Sequence, residues 1–200
     1  MKGSLIILSF FVAGLLLAYY GIIPEEIYKM DLSRYVLMFL MFFVGISTGA
    51  NPNTFKILKT AKLKILLVPL SAIIGTWLGV AIVSFFLPSV NLKEALAVGS
   101  GFGYYSLSSI IISQMHSDVL AVIALLSNIL REISTLLFTP LIVRYFGKLA
   151  PIATGGATAM DTTLPIISEY SGSEYAIVSI FSGTILTIIV PIFVALFLSL

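Results

Sequence analysis

The chain has 200 residues, of which 59% are hydrophobic and only 10% charged, with a formal net charge of +2 and a mean hydropathy of +1.12. Soluble domains carry about 25% charged residues, about 2.5-fold more. The expected solvent is therefore the bilayer of the cell membrane, and a cytosolic enzyme, a disulfide scaffold (there is no Cys) and a disordered chain are excluded. The eleven Lys and Arg form no aromatic-interleaved basic face, which excludes nucleic acid as a partner. No residue pattern requires a metal or a cofactor. At about 20 residues per span there is room for roughly six to eight membrane segments. The expectation is a multi-pass, all-α integral membrane protein, with residues 1–200 forming one transmembrane transport domain.

The apolar run from Leu5 to Ile23 is too long for a signal-peptide core and ends without a small-residue cleavage site. It is predicted to be a first membrane helix. A polar link with Glu25, Glu26, Lys29, Asp31 and Arg34 leads to a second helix over Leu32 to Ala50. Asn51-Pro52-Asn53 marks a turn. Lys56, Lys59, Lys62 and Lys64 suggest a short interfacial helix. A third span runs from Ile65 to Leu87, a 28-residue helical run covers Val119 to Phe146, and a last span covers Tyr175 to Leu200 with Pro191 inside it. Trp77, Tyr19 and Tyr20 read as interfacial or lipid-facing aromatics.

Two segments break this pattern. From Lys93 to Met115, three glycines (Gly99, Gly101, Gly103) are followed by Tyr104, Tyr105, Ser106, Ser108 and Ser109. From Pro151 to Tyr170, Gly155 and Gly156 precede Asp161, Thr162, Thr163 and Pro165. Both are too polar and glycine-rich for a lipid-facing helix, and both are predicted to be broken or re-entrant. Their order of glycines, hydroxyls and isoleucines is loosely shared, as in an inverted repeat. Paired interruptions of this kind point to a transporter binding site. The bland alternative is that small residues merely let helices pack closely.

Arg131 and Glu132 fall at the middle of the 28-residue run, where each costs roughly 2.5–3.5 kcal/mol by insertion scales. Adjacent residues are about 100° apart around a helix, so they do not form a same-face pair. Asn128, Glu132, Thr135 and Thr139 define one polar stripe, and Ser127, Arg131 and Ser134 its neighbour. Such a face needs protein or water beside it. A structural reading is a buried ion pair between Arg131 and Asp161. Asp161 also suits an N-cap on a half-helix. The lone His116 reads as a solvated loop residue.

By the positive-inside bias the lysine cluster is expected in the cytoplasm, with the N-terminus on the same side. Arg144 and Lys148 share that side only if one interrupted segment does not cross, and a re-entrant first segment is preferred for that reason.

The blocks Gly101-Phe102-Gly103-Tyr104-Tyr105-Ser106-Leu107-Ser108-Ser109, Asn128-Ile129-Leu130-Arg131-Glu132 and Gly155-Gly156-Ala157-Thr158-Ala159-Met160-Asp161-Thr162-Thr163-Leu164-Pro165 together resemble the LysO-type lysine exporter family. The resemblance implies export of L-lysine and toxic lysine analogues from the cytoplasm. It also implies that Glu132 is the membrane-embedded acid of this domain. Typical bacterial members are longer, with an N-terminal hydrophobic portion carrying a further acid. The resemblance thus leads one to expect a separate small membrane subunit, or a homodimer.

The mechanism expected from the residues divides lysine between opposite charges. Glu132 and Asp161 would face the ammonium groups. Arg131, or the half-helix N–H groups after Asp161, would face the carboxylate. Glu132 is also the candidate carrier of a coupling proton, sodium being the other possible coupling ion. The serious rival is a cation/proton antiporter or an exporter of another small amino compound. An intramembrane protease lacks a paired-aspartate motif and an intramembrane Ser–His pair, and a purely structural subunit needs no glycine-broken segments with buried charge.

Overall fold

The computed structural model describes residues 2–24 and 65–200, with isolated positions between 35 and 50. The second helix expected over residues 32–50, the turn after it and the lysine cluster lie outside the described residues, except for those isolated positions, which are helical. The described residues are all-helical, with no strand. Helix α1 covers Lys2–Tyr19 and packs against the longest of the described helices. Helix α2 covers Leu67–Ser84 and helix α3 Leu92–Gly99. Helix α4 covers Tyr105–Met115 and helix α5 Asp118–Phe146. Helix α6 covers Ala150–Gly155, helix α7 Leu164–Ser171 and helix α8 Ala176–Ser199. Short 3-10 turns occupy Gly156–Met160 and Ser173–Tyr175.

Three described helices are long and apolar enough to cross a membrane: α2, α5, and α8 with the turn before it. Their outward faces carry large apolar side chains at helical spacing. On α2 these are Leu67, Leu70, Ile74, Leu78 and Ile82, and on α8 they are Ile188, Ile192 and Leu196. Exposed apolar surface of this extent is what a hydrocarbon solvent accepts and water does not.

The interrupted helices follow from local chemistry. Helix α3 starts at a capping box: the Asn91 side chain accepts from the Glu94 N–H at 2.9 Å and the Glu94 carboxylate accepts from the Asn91 N–H at 2.8 Å. It stops where Phe102 takes φ +44° and Gly103 φ +98°. A positive φ at Phe102 is strained for a side chain of that size, and its burial (0% exposed) holds it there. Helix α5 starts at Ser117, whose hydroxyl accepts from the Leu120 N–H at 3.2 Å, and ends at Gly147 with φ +87°. Its 29 residues correspond to roughly 44 Å of rise.

The ends of each broken segment meet. Glu94, in the first turn of α3, lies 2.7 Å from His116, the C-cap of α4. Lys148, just before α6, lies 3.9 Å from Glu174, just after α7, and over the Tyr175 ring. At their inner ends the two breaks touch through backbone: the Ala157 N–H donates to the Phe102 carbonyl at 2.8 Å. Gly156 makes this approach possible, because a Cβ there would sit 2.1 Å from the Phe102 oxygen.

Trp77 departs from the interfacial reading. It packs against Phe102, Phe193 and Phe197 and donates to the Ser100 hydroxyl at 3.0 Å, so it supports the first break from within the protein. Tyr19 and Tyr20 are exposed and stacked edge to face.

Candidate functional site

Where the two breaks meet, a cavity of about 170 Å³ opens. Its walls are Gly103, Tyr104, Tyr105 and Ser106 from the first break, Thr158, Asp161 and Thr162 from the second, and Glu132 from the midpoint of α5. Of the residues singled out in the sequence, these are the ones the structure brings together. Asp161 accepts from the Thr162 N–H at 2.6 Å, and the Thr162 side chain interacts with both Asp161 and Glu132. No Lys, Arg or His among the described residues pairs with either carboxylate. Among the described residues, two acids thus face one small cavity without a counter-charge.

Asp161 is not the N-cap that its position suggests. The cap of α7 is Thr163, which makes no side-chain capping bond, and Pro165 occupies the first turn as expected. The turn before α7 uses its own donors. Thr162 N–H goes to the Asp161 carboxylate, Thr163 N–H to the Thr158 carbonyl and Leu164 N–H to the Asp161 carbonyl. The Thr162, Thr163 and Leu164 N–H groups are thus committed within the chain. By contrast, the Tyr105 and Ser106 N–H groups at the start of α4, in the cavity wall, have no backbone acceptor among the described residues.

Arg131 and Asn128 point elsewhere. The Arg131–Asp161 pair of the alternative, structural reading does not form. Arg131 donates to the Ala153 carbonyl at 3.0 Å, the Thr154 carbonyl at 2.8 Å and the Thr76 hydroxyl at 2.9 Å. Asn128, buried, accepts from the Gly103 N–H at 2.7 Å and donates to the Ala124 carbonyl at 2.9 Å and the Val98 carbonyl at 3.3 Å. The remaining polar positions are also structural in their contacts. Ser108 donates back to the Tyr104 carbonyl at 2.9 Å and Ser109 to the Ser106 carbonyl at 3.1 Å. Thr163 is buried 3.4 Å from the Thr158 hydroxyl. A Cβ on Gly101 would meet Asn128 at 2.5 Å, and one on Gly155 would meet the Thr163 hydroxyl at 2.8 Å.

Sequence reasoning did not single out Met160 and Thr187, which complete the cavity. Thr187 on α8 is within 3.9 Å of the Met160 sulfur. Thr187 is one of several hydroxyls along α8 (Ser179, Ser182, Thr184), so nothing local set it apart. On the other side of Arg131 and Asn128 lies a larger groove of about 630 Å³. It runs between α2, α3, α5 and α6, is mostly apolar, and carries no carboxylate.

The described residues thus form an all-helical, apolar domain in which two helix breaks meet beside a pair of half-buried acids. The chain is a member of the lysine exporter LysO family, whose model matches residues 8–198, and is a multi-pass protein of the cell membrane. It is 31% identical over 170 residues to the lysine exporter LysO of Escherichia coli K12, covering 84% of this chain and 55% of that protein. It is 34% identical over 168 residues to a putative lysine exporter of Haemophilus influenzae, covering 82% of this chain and 83% of that protein. The chain thus spans about half the length of the Escherichia coli relative. No solved structure matches it.

Proposed function

We propose that this chain exports L-lysine and its analogues, binding them in the cavity between the two breaks. The observation that carries the reading is the pair Glu132 and Asp161, facing one cavity with no basic residue among the described ones paired to either. Buried charge of one sign is tolerated where it lines a hydrated path or meets a partner, and an ammonium group is the partner these acids lack. The names of the two relatives support lysine as the cargo. A cavity this small suits an amino acid rather than a larger solute.

The carboxylate of the cargo then faces the Tyr105 and Ser106 N–H groups, whose helix end is the positive pole of a dipole. They replace Arg131 and the turn after Asp161, whose donors are already engaged. Both broken segments are read as re-entrant hairpins entering from opposite faces of the membrane. The meeting of their outer ends supports this, as does the long helix α5 that joins them. They form an inverted pair about Glu132. Proton entry at Glu132 competes with the ammonium group, which makes the transport antiport. A second copy, or a separate small membrane subunit, completes the transporter.

Counterflow of labelled lysine in liposomes tests the reading. Lysine accumulates, unlabelled lysine competes and sodium does not. Glu132→Gln lowers uptake to background while the protein remains monodisperse. Near-normal lysine efflux by that variant, or uptake abolished by sodium but not by lysine, overturns the proposal.

A further inference from the structure

We infer that Arg131 is a positioning residue for the cavity: it holds the second break in place from behind and does not touch the cargo. The inference rests on the reading that the small cavity is the lysine site.

The last four carbonyls of any helix lack partners within it. In α6 these belong to Ile152, Ala153, Thr154 and Gly155. The Gly156 N–H takes Ile152, and the Thr158 hydroxyl takes Gly155 at 2.9 Å. Arg131 takes the remaining two, Ala153 and Thr154. Its nitrogen donors thus complete the end of α6, and its charge sits at the negative pole of that helix. This explains how a guanidinium stands in the middle of a membrane helix without a carboxylate partner among the described residues. Its further bond to Thr76 ties the same point to α2.

The wall that carries Met160, Asp161 and Thr162 starts just beyond the carbonyls that Arg131 holds. Meanwhile Glu132, the next residue of α5, faces the cavity itself. One turn of α5 therefore supplies both the acid and the tether that fixes the opposing acid's loop. Arg131 lines the large groove and is absent from the lining of the small cavity. A ligand role would need it on the other side of the break.

The native chain has no cysteine, so a single Met160→Cys replacement reports on this wall alone. Its alkylation by a small cationic methanethiosulfonate is measured without lysine and with it. Adding Arg131→Gln is expected to change the rate without lysine by about tenfold, the equivalent of one lost charge-assisted bond. Arg131→Lys recovers part of the rate and part of the protection by lysine. Thr76→Val, which leaves Arg131 intact, shifts the rate in the same direction by less. Identical rates without lysine in the parent and the Arg131 variants, with lysine protection lost only in the variants, would make Arg131 a ligand and overturn the inference. If lysine fails to protect even the parent, the lysine reading falls, while the change in rate without lysine still decides the role of Arg131.

Discussion

The two breaks solve the same problem with different chemistry. In the first, the chain satisfies most of its own backbone through tight turns. Gly101 N–H goes to the Val98 carbonyl, Phe102 N–H to Gly99 and Tyr104 N–H to Gly101. Asn128 adds one acceptor and two donor contacts, and no charge is needed. In the second, two carbonyls depend on a cation from another helix, and the 3-10 turn after them is held by α8. There the Ser179 hydroxyl donates to the Ala159 carbonyl at 2.7 Å, and a Cβ on Gly183 would lie 2.7 Å from that of Met160. A neutral amide, acceptor and donor at once, suits a break with an N–H to spare and a carbonyl already held by its own turn, and a guanidinium suits one with only carbonyls to spare. The first break is therefore the more self-sufficient, and the second is the one that neighbouring helices can move.

The point where the breaks touch is the most sensitive to change. Gly156→Ala puts a methyl 2.1 Å from the Phe102 carbonyl oxygen, at a residue with φ +65°. Backbone atoms on both sides have no way to yield without breaking the bond from Ala157. The substitution is expected to cost at least about 3 kcal/mol. It should appear as loss of monodisperse protein, or as a large drop in melting temperature in detergent. A stable Gly156→Ala protein would mean that the breaks do not meet at this distance.

Asn128→Ala probes the first break alone. It removes the acceptor from the buried Gly103 N–H and leaves the Val98 carbonyl to the chain's own turn. One orphaned buried donor costs about 1–3 kcal/mol. The effect should fall below that of Gly156→Ala in melting temperature. Asn128→Asp keeps the acceptor for Gly103 but loses the donor and buries a charge, so it should rescue nothing. If Asn128→Ala destabilises more than Gly156→Ala, the order of dependence argued for the two breaks is reversed.

Much of this organisation was legible in the sequence, because the signals were chemical exceptions to a membrane helix. Gly99 to Gly103 and Gly155 to Gly156 marked the breaks, and Glu132 and Asp161 marked the cavity. The long helix starts one residue before the expected Val119 and ends at the expected Phe146, because Ser117 is a strong start signal and Gly147 a strong stop signal. What could not be read was direction around α5. Arg131 and Glu132 are adjacent, and nothing local says which faces carbonyls and which faces the cavity. That depends on α6 ending beside Arg131, a tertiary fact. Trp77 misled for a similar reason, since an aromatic at a membrane interface and one bonded to Ser100 have the same local sequence.

The smallest effects are expected at the outer ends of the two segments, where the comparison is again unequal. Glu94 joins His116 at 2.7 Å and also receives the Asn91 N–H, so it closes the first segment and caps α3 together. Lys148 meets Glu174 at 3.9 Å with its own side chain 54% exposed. Exposed pairs contribute about 0–1 kcal/mol and weaken with salt. Glu94→Ala is therefore expected to cost about 1 kcal/mol, mostly through the cap. Lys148→Met should fall within about 0.5 kcal/mol of the parent and show no dependence on salt. Because the first segment's ends are held through a cap and a close pair, and the second's through a loose pair and the Lys148–Tyr175 ring contact, hydrogen exchange should be faster around Lys148 and Glu174 than around Glu94 and His116. Equal exchange at the two ends would remove the reason for treating the second segment as the more mobile of the pair.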